Sequence, residues 1–197
     1  SLYTPTVYEG FRPVLDSNAF LKASFTSNRL FTSIYLGQLQ YYYQSRNPFR
    51  WSRTLIVSFE TSGLEISALD GISKLASGKK ISELSNLDLS KFIKLEFDHR
   101  WTYHYQNKNS LVFRLNYGAA TPFAGDTTVP YIKQFFIGGP QSLRAWRLRE
   151  PGPGSDKQSL EVRNSRNYYS SGDVKFEINL EYRFKIYWRF EGALFTD

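Results

Sequence analysis

Cysteine is missing from all 197 residues, which rules out disulfides and thiolate metal ligands. Methionine is missing as well, position 1 included, and no basic, apolar, cleavable leader is visible. A mature product or part of a longer protein is therefore expected. No run approaches the roughly 20 apolar residues of a membrane-spanning helix. That absence leaves one route across a membrane untouched, because a barrel strand needs only about 9–11 residues with alternate ones apolar. Histidine is scarce: the only two, His99 and His104, have opposite parity and so fall on opposite faces of one extended segment. With no cysteine and no third histidine, a zinc site is not expected. Gly138-Gly139 and the stretch 150–154 (EPGPG) lack the spacing and following lysine of a phosphate-binding loop. Ser142 has no histidine or acid at a recognisable catalytic spacing. We therefore expect no catalytic residue, no metal, no cofactor and no enzyme. The net charge is +7, yet Lys and Arg are spread along the chain and alternate with acids. Nucleic-acid binding requires a compact basic patch, so no nucleic-acid partner is expected.

What is abundant is aromatic. Phe and Tyr number 16 and 14, and aromatics make up 17% of the chain. Phe and Tyr favour strands, and Tyr and Trp collect where a membrane meets water. A soluble aromatic-rich β-domain would give a similar count, so the decision falls to pattern. The dominant pattern has a period of two. In 172–184 (GDVKFEINLEYRF), Val174, Phe176, Ile178, Leu180, Tyr182 and Phe184 share one face. Lys175, Glu177, Asn179, Glu181 and Arg183 share the other. Successive strand residues point to opposite faces, so this segment reads as a strand with one apolar and one charged side. The pattern recurs in 91–105, with Ile93, Leu95, Phe97, Trp101, Tyr103 and Tyr105 aligned. It recurs in 110–119, with Leu111, Phe113, Leu115 and Tyr117, and in 50–61, with Leu55, Val57 and Phe59. Residues 30–43 are long and aromatic, 20–26 are a weaker candidate, and 187–197 read as a last strand.

Connections alternate in length. Residues 106–109 (QNKN) make a tight polar hairpin turn, and Lys185-Ile186 makes another short link. By contrast, 120–171 is a long loop rich in Gly, Pro, Arg and Asn, a length that usually signals function. A second long connection, 64–89, contains a candidate short helix around Ile66 to Leu75. Tight turns at one end and long loops at the other are how bacterial outer-membrane barrels are built. A soluble antiparallel sandwich also alternates. The barrel is favoured because the polar faces carry both charge signs in complementary order, as a hydrated lumen would. Moreover, the apolar faces end in aromatics (Trp101, Tyr103, Tyr105; Tyr182, Phe184; Tyr187, Trp188), like an interfacial girdle. The expected fold is all-β: an antiparallel transmembrane β-barrel in which 1–197 is a segment of one barrel domain. By pattern it supplies about seven strands of a larger barrel, with missing strands expected on both sides, since an open sheet in lipid leaves backbone groups unpaired.

Within the long loop lies 134–149 (QFFIGGPQSLRAWRLR). It resembles the sixth extracellular loop of the BamA/TamA superfamily of outer-membrane assembly barrels. That loop reads as an aromatic stretch, a Gly-Gly pair, a Ser, then an aliphatic–Arg–Gly–aromatic tetrad. Phe135, Phe136, Gly138, Gly139, Ser142, Leu143, Arg144 and Trp146 occupy the matching positions, and Ala145 stands where the family usually has Gly. Glycine reaches backbone conformations that alanine avoids, so position 145 is where the local backbone is in question. Downstream, 179–184 (NLEYRF) is similar to the family's next strand with its inward glutamate, and 192–197 (GALFTD) to the opening of a further motif. The resemblance implies that the loop folds back into the lumen and that Arg144 pairs with Glu181 and Asp197 on the wall. Periodicity separately puts both carboxylates on the polar face. A guanidinium fork can satisfy such carboxylates through several charge-assisted hydrogen bonds.

The same resemblance implies a non-enzymatic factor of the bacterial outer membrane that assembles, inserts or translocates other proteins. Its implied partners are the lipid bilayer, client outer-membrane proteins, optional accessory lipoproteins and periplasmic modules of the parent chain. Other readings compatible with the pattern are a two-partner secretion pore, the barrel of a fused lipid hydrolase, a diffusion porin and a soluble β-sandwich binding protein.

Overall fold

The computed structural model describes residues 2–3, 9–17, 22, 29–30, 38–45, 50–77, 90–105, 109–152 and 170–197. Two two-residue strands, β1 (Leu2–Tyr3) and β2 (Arg29–Leu30), pair with each other, and α1 (Arg12–Ser17) is a short helix. The principal element is a six-stranded antiparallel sheet. Its strands are β3 (Gln38–Gln44), β4 (Trp51–Ser62), β5 (Phe92–His104), β6 (Ser110–Pro122), β7 (Val174–Tyr187) and β8 (Phe190–Thr196). They lie side by side in chain order, so each pairs with its sequence neighbour. β5, β6 and β7 run 13, 13 and 14 residues. That is enough to cross a bilayer at the usual strand tilt. The sheet is open, with β3 and β8 at its edges.

The register aligns the alternation of every strand. One row across the apolar face runs Tyr41, Val57, Phe97, Tyr117, Phe176, and the next runs Leu39, Phe59, Leu95, Ala119, Val174. The polar face carries the row Ile56, Asp98, Asn116, Glu177. In a soluble sheet the apolar face is covered and the polar face wet. Here the order is reversed: Phe176 is 61% exposed and Ile178 45%, whereas Glu177 is 3% and Asn116 1% exposed. The polar side is covered by the long connection between β6 and β7. The described apolar core is correspondingly small; Phe92, Ala120, Val129 and Phe135 cluster where that connection meets the sheet. At the tight-turn end, Trp51 and Tyr103 rings lie 4.4 Å apart, and Tyr103 meets Tyr105 edge-on at the same distance. Such a stack suits the boundary between hydrocarbon and water.

Several expected boundaries move. The 30–43 candidate appears as β3 from Gln38 to Gln44, with 31–37 outside the described residues. Among the described residues the sheet has six strands, and the seventh candidate, 20–26, lies outside them save Lys22. The helix in 64–89 is longer than expected: α2 spans Leu64–Ser77 and starts after Gly63, whose φ of +72° turns the chain out of β4. The last hairpin does not turn at Lys185-Ile186. β7 continues to Tyr187, a bulge falls between Lys185 and Tyr187, and the turn is Trp188-Arg189. Two-residue hairpins require a positive φ, and Trp188 supplies it at +51°. The bulge breaks the alternation locally, which is why periodicity placed the turn too early.

Candidate functional site

The polar face of β4–β8 holds a charged lattice. Asp98 on β5 accepts from Arg114 on β6 at 2.6 Å and from Arg100 at 3.2 Å. Lys175 on β7 lies 3.6 Å from both Glu96 and Glu177. Strand parity dictates that these charges share one side; the register decides which meet.

Onto this lattice the segment 134–149 folds as a closed tip. The Arg149 N–H donates to the Ile137 carbonyl at 2.9 Å, and the Gly139 N–H to the Trp146 carbonyl at 2.9 Å. The glycine pair is required by geometry. Gly138 has φ +101°, and a Cβ there would lie 2.2 Å from the Arg147 carbonyl oxygen; Gly139 has φ +89°. Ser142 stitches the tip to the sheet: its Oγ accepts from the Gly138 N–H at 3.1 Å and donates to the Glu177 carboxylate. The Ser142 carbonyl accepts from Asn179 Nδ2 at 2.9 Å, and the Gln141 carbonyl from Arg114 Nη1 at 2.6 Å.

Arg144 extends along β7 toward β8. Its Nη1 lies 2.7 Å from Glu181 Oε2, its Nε 3.3 Å from Asp197 Oδ2, and its backbone N–H donates to Asp197 Oδ2 at 3.0 Å. The guanidinium also sits over the Phe195 ring, 3.9 Å from its centroid. Asn179 Nδ2 donates to Asp197 Oδ1 at 2.9 Å, so that carboxylate is held from two sides. Partial burial opposes the Arg144 charge, but the hydrogen bonds to Glu181 and Asp197 outweigh it and hold its pKa above the ordinary arginine value.

The structure therefore brings together Gly138, Gly139, Ser142, Arg144, Glu181 and Asp197. Phe136 and Trp146 stand apart, 40% and 51% exposed; Arg149 lies over the Phe136 ring at 4.6 Å. Leu143 is half-buried and Ala145 exposed. Ala145 has no positive φ, so alanine sits without strain where the family usually has glycine. Glu177, Asn179, Arg114, Gln141 and Phe195 were not singled out from the sequence as partners of the loop. Parity puts Glu177, Asn179 and Arg114 on the polar face, but nothing in a strand's own pattern says which loop atom it will meet. No group of residues suited to hold a metal ion occurs among the described residues.

An antiparallel sheet that turns an aromatic, apolar face outward and folds a long loop onto its charged face is a wall segment of a membrane β-barrel. The chain belongs to the Omp85 superfamily, whose domain matches residues 81–197. That span takes in α2's downstream connection, β5 to β8 and the whole loop. Members of this superfamily are characteristic of bacterial outer membranes, where they serve protein assembly and translocation, generally without enzymatic chemistry. The chain finds no match in sequence among curated proteins.

Proposed function

We propose that this chain is barrel wall from a non-enzymatic outer-membrane factor that inserts or translocates other proteins, as the BamA/TamA branch does, with the loop after β6 tethered inside the lumen through 134–149. The observation that carries the reading is the grip of Arg144 on Glu181 and Asp197. A loop pinned across the charged wall narrows the lumen, which weighs against a large open diffusion pore. The apolar face meets the bilayer. Client outer-membrane proteins, periplasmic modules of the parent chain and accessory lipoproteins complete the partners. A two-partner secretion pore would use the same wall and loop.

The test is Arg144→Ala in the membrane-embedded parent protein. Removing the guanidinium leaves two largely buried carboxylates without their fork, a cost of about 1.5–3 kcal/mol. Insertion of a reporter barrel into vesicles should fall, and the loop should become protease-sensitive. Normal insertion with an unchanged digestion pattern would refute the tether, and large stable single-channel conductance in the unaltered protein would favour a porin.

A further inference from the structure

The Arg144 contacts hold only the far half of the loop. Nearer β6, a separate group of residues binds a different part of the sheet. The Lys133 ammonium donates to the Glu60 carboxylate on β4, with both side chains mostly covered. Lys94 on β5 donates to the Lys133 carbonyl at 3.0 Å, and the same ammonium lies 4.3 Å from the Phe135 ring centroid. Phe135 is 5% exposed and lies in a notch over Gly118 on β6, where a Cβ would come within 2.5 Å of the ring. Its backbone exchanges two hydrogen bonds of 2.9 Å with Gly172. Glu60, Lys94 and Gly118 touch no part of 138–149 in any hydrogen bond or ion pair described above. Between the two groups lie Gly138 and Gly139, both at positive φ, the residues whose backbone turns with least steric resistance.

We propose that the loop has two independent anchors: a base, in which Lys133 and Phe135 are positioning residues held by Glu60, Lys94 and Gly118, and a tip held through Arg144, with the glycine pair as the hinge. Release of Arg144 then loosens the tip alone, where Ser142 and Gln141 keep their own contacts, while the base stays locked on β4, β5 and β6. The loop thereby adds a second tie across the β6–β7 ladder, and letting go of the tip removes that tie without expelling the loop from the wall. The two anchors differ in kind: beside its Lys133–Glu60 pair the base seats the Phe135 ring in a backbone notch and bridges to Gly172, whereas the tip is held through polar and charged contacts. The inference rests on the loop lying on the lumen face as proposed above, but not on what the barrel does for clients.

Because the chain has no cysteine, single spin labels can be placed at Ile132→Cys in the base and Ala145→Cys in the tip. In the membrane-embedded protein, Arg144→Ala should reduce the immobilised component of the spectrum at 145 and leave it intact at 132. Phe135→Ala or Gly118→Leu should do the reverse. Lys133→Glu and Glu60→Lys should each mobilise 132, and combining them should restore the immobile spectrum; general damage to folding would not be repaired by the swap. If Arg144→Ala mobilises both labels alike, or if the swapped pair fails to recover, the loop has one anchor and the inference falls. Loss of these mobility differences would leave the client-insertion assay of Arg144→Ala untouched, so failure of either idea is distinguishable from failure of the other.

Discussion

The two faces of β7 differ by one residue of register and by almost everything else. On one face Val174, Phe176, Ile178, Leu180 and Tyr182 stand open; on the other Lys175, Glu177, Asn179 and Glu181 are covered or half-covered. In water this arrangement would be upside down, since exposed apolar area costs about 25 cal/mol per Å². In a bilayer it is the stable one: lipid covers the apolar face, and the charges must find partners within the protein. The lesson is that the polar face is not a surface but a docking bed. Its charges are paired across strands and then to the loop, and the loop's sequence is constrained by the wall it meets as much as by its own turns.

The largest effect is expected from the lipid side of the sheet. Ile178→Arg puts a charge near the middle of the apolar face and should destabilise the protein in lipid vesicles by about 2–4 kcal/mol in reversible denaturation. A loss under 1 kcal/mol, by the same depth scale, would mean that this face meets water or an interface. On the inner side Gly138→Ala should rank just below the loss of Arg144. A side chain there collides with the Arg147 carbonyl and imposes a backbone conformation that costs about 1–3 kcal/mol, visible as protease cleavage within 138–149. Smallest is Ala145→Gly. The backbone at 145 suits alanine, so restoring the family's usual glycine should lower stability by about 0.4–1 kcal/mol through chain entropy. A gain in stability would reveal strain at 145 and sharpen the account of that departure.

Much of this contrast was legible from alternation alone. β4 to β7 were read within a few residues of their ends, because long strands with one face uniformly apolar leave no other register available. The grouping of Arg144 with Glu181 and Asp197 came from the resemblance of the loop motif, and parity independently put both acids on the polar face. What could not be read were contacts set by three-dimensional docking. Gly118 is one glycine among 13, and its notch exists only because Phe135 returns to it from the loop. Lys133–Glu60 joins residues 73 positions apart with no sequence pattern linking them. The end of β7 is hidden for a local reason: the bulge between Lys185 and Tyr187 breaks the alternation, so the pattern reads as a turn before the strand has ended.

Adjacent residues on β6 offer the most direct test of the inside-out sheet. Tyr117 points outward and is 42% exposed, whereas Asn116 points inward and is 1% exposed beneath the loop. Spin labels placed at 116 and 117 in separate proteins, reconstituted in vesicles, would be probed with oxygen, which concentrates in lipid, and with a water-soluble nickel chelate. Strong oxygen relaxation is expected at 117, and little from either reagent at 116. Nickel relaxation dominating at 117 would contradict this arrangement.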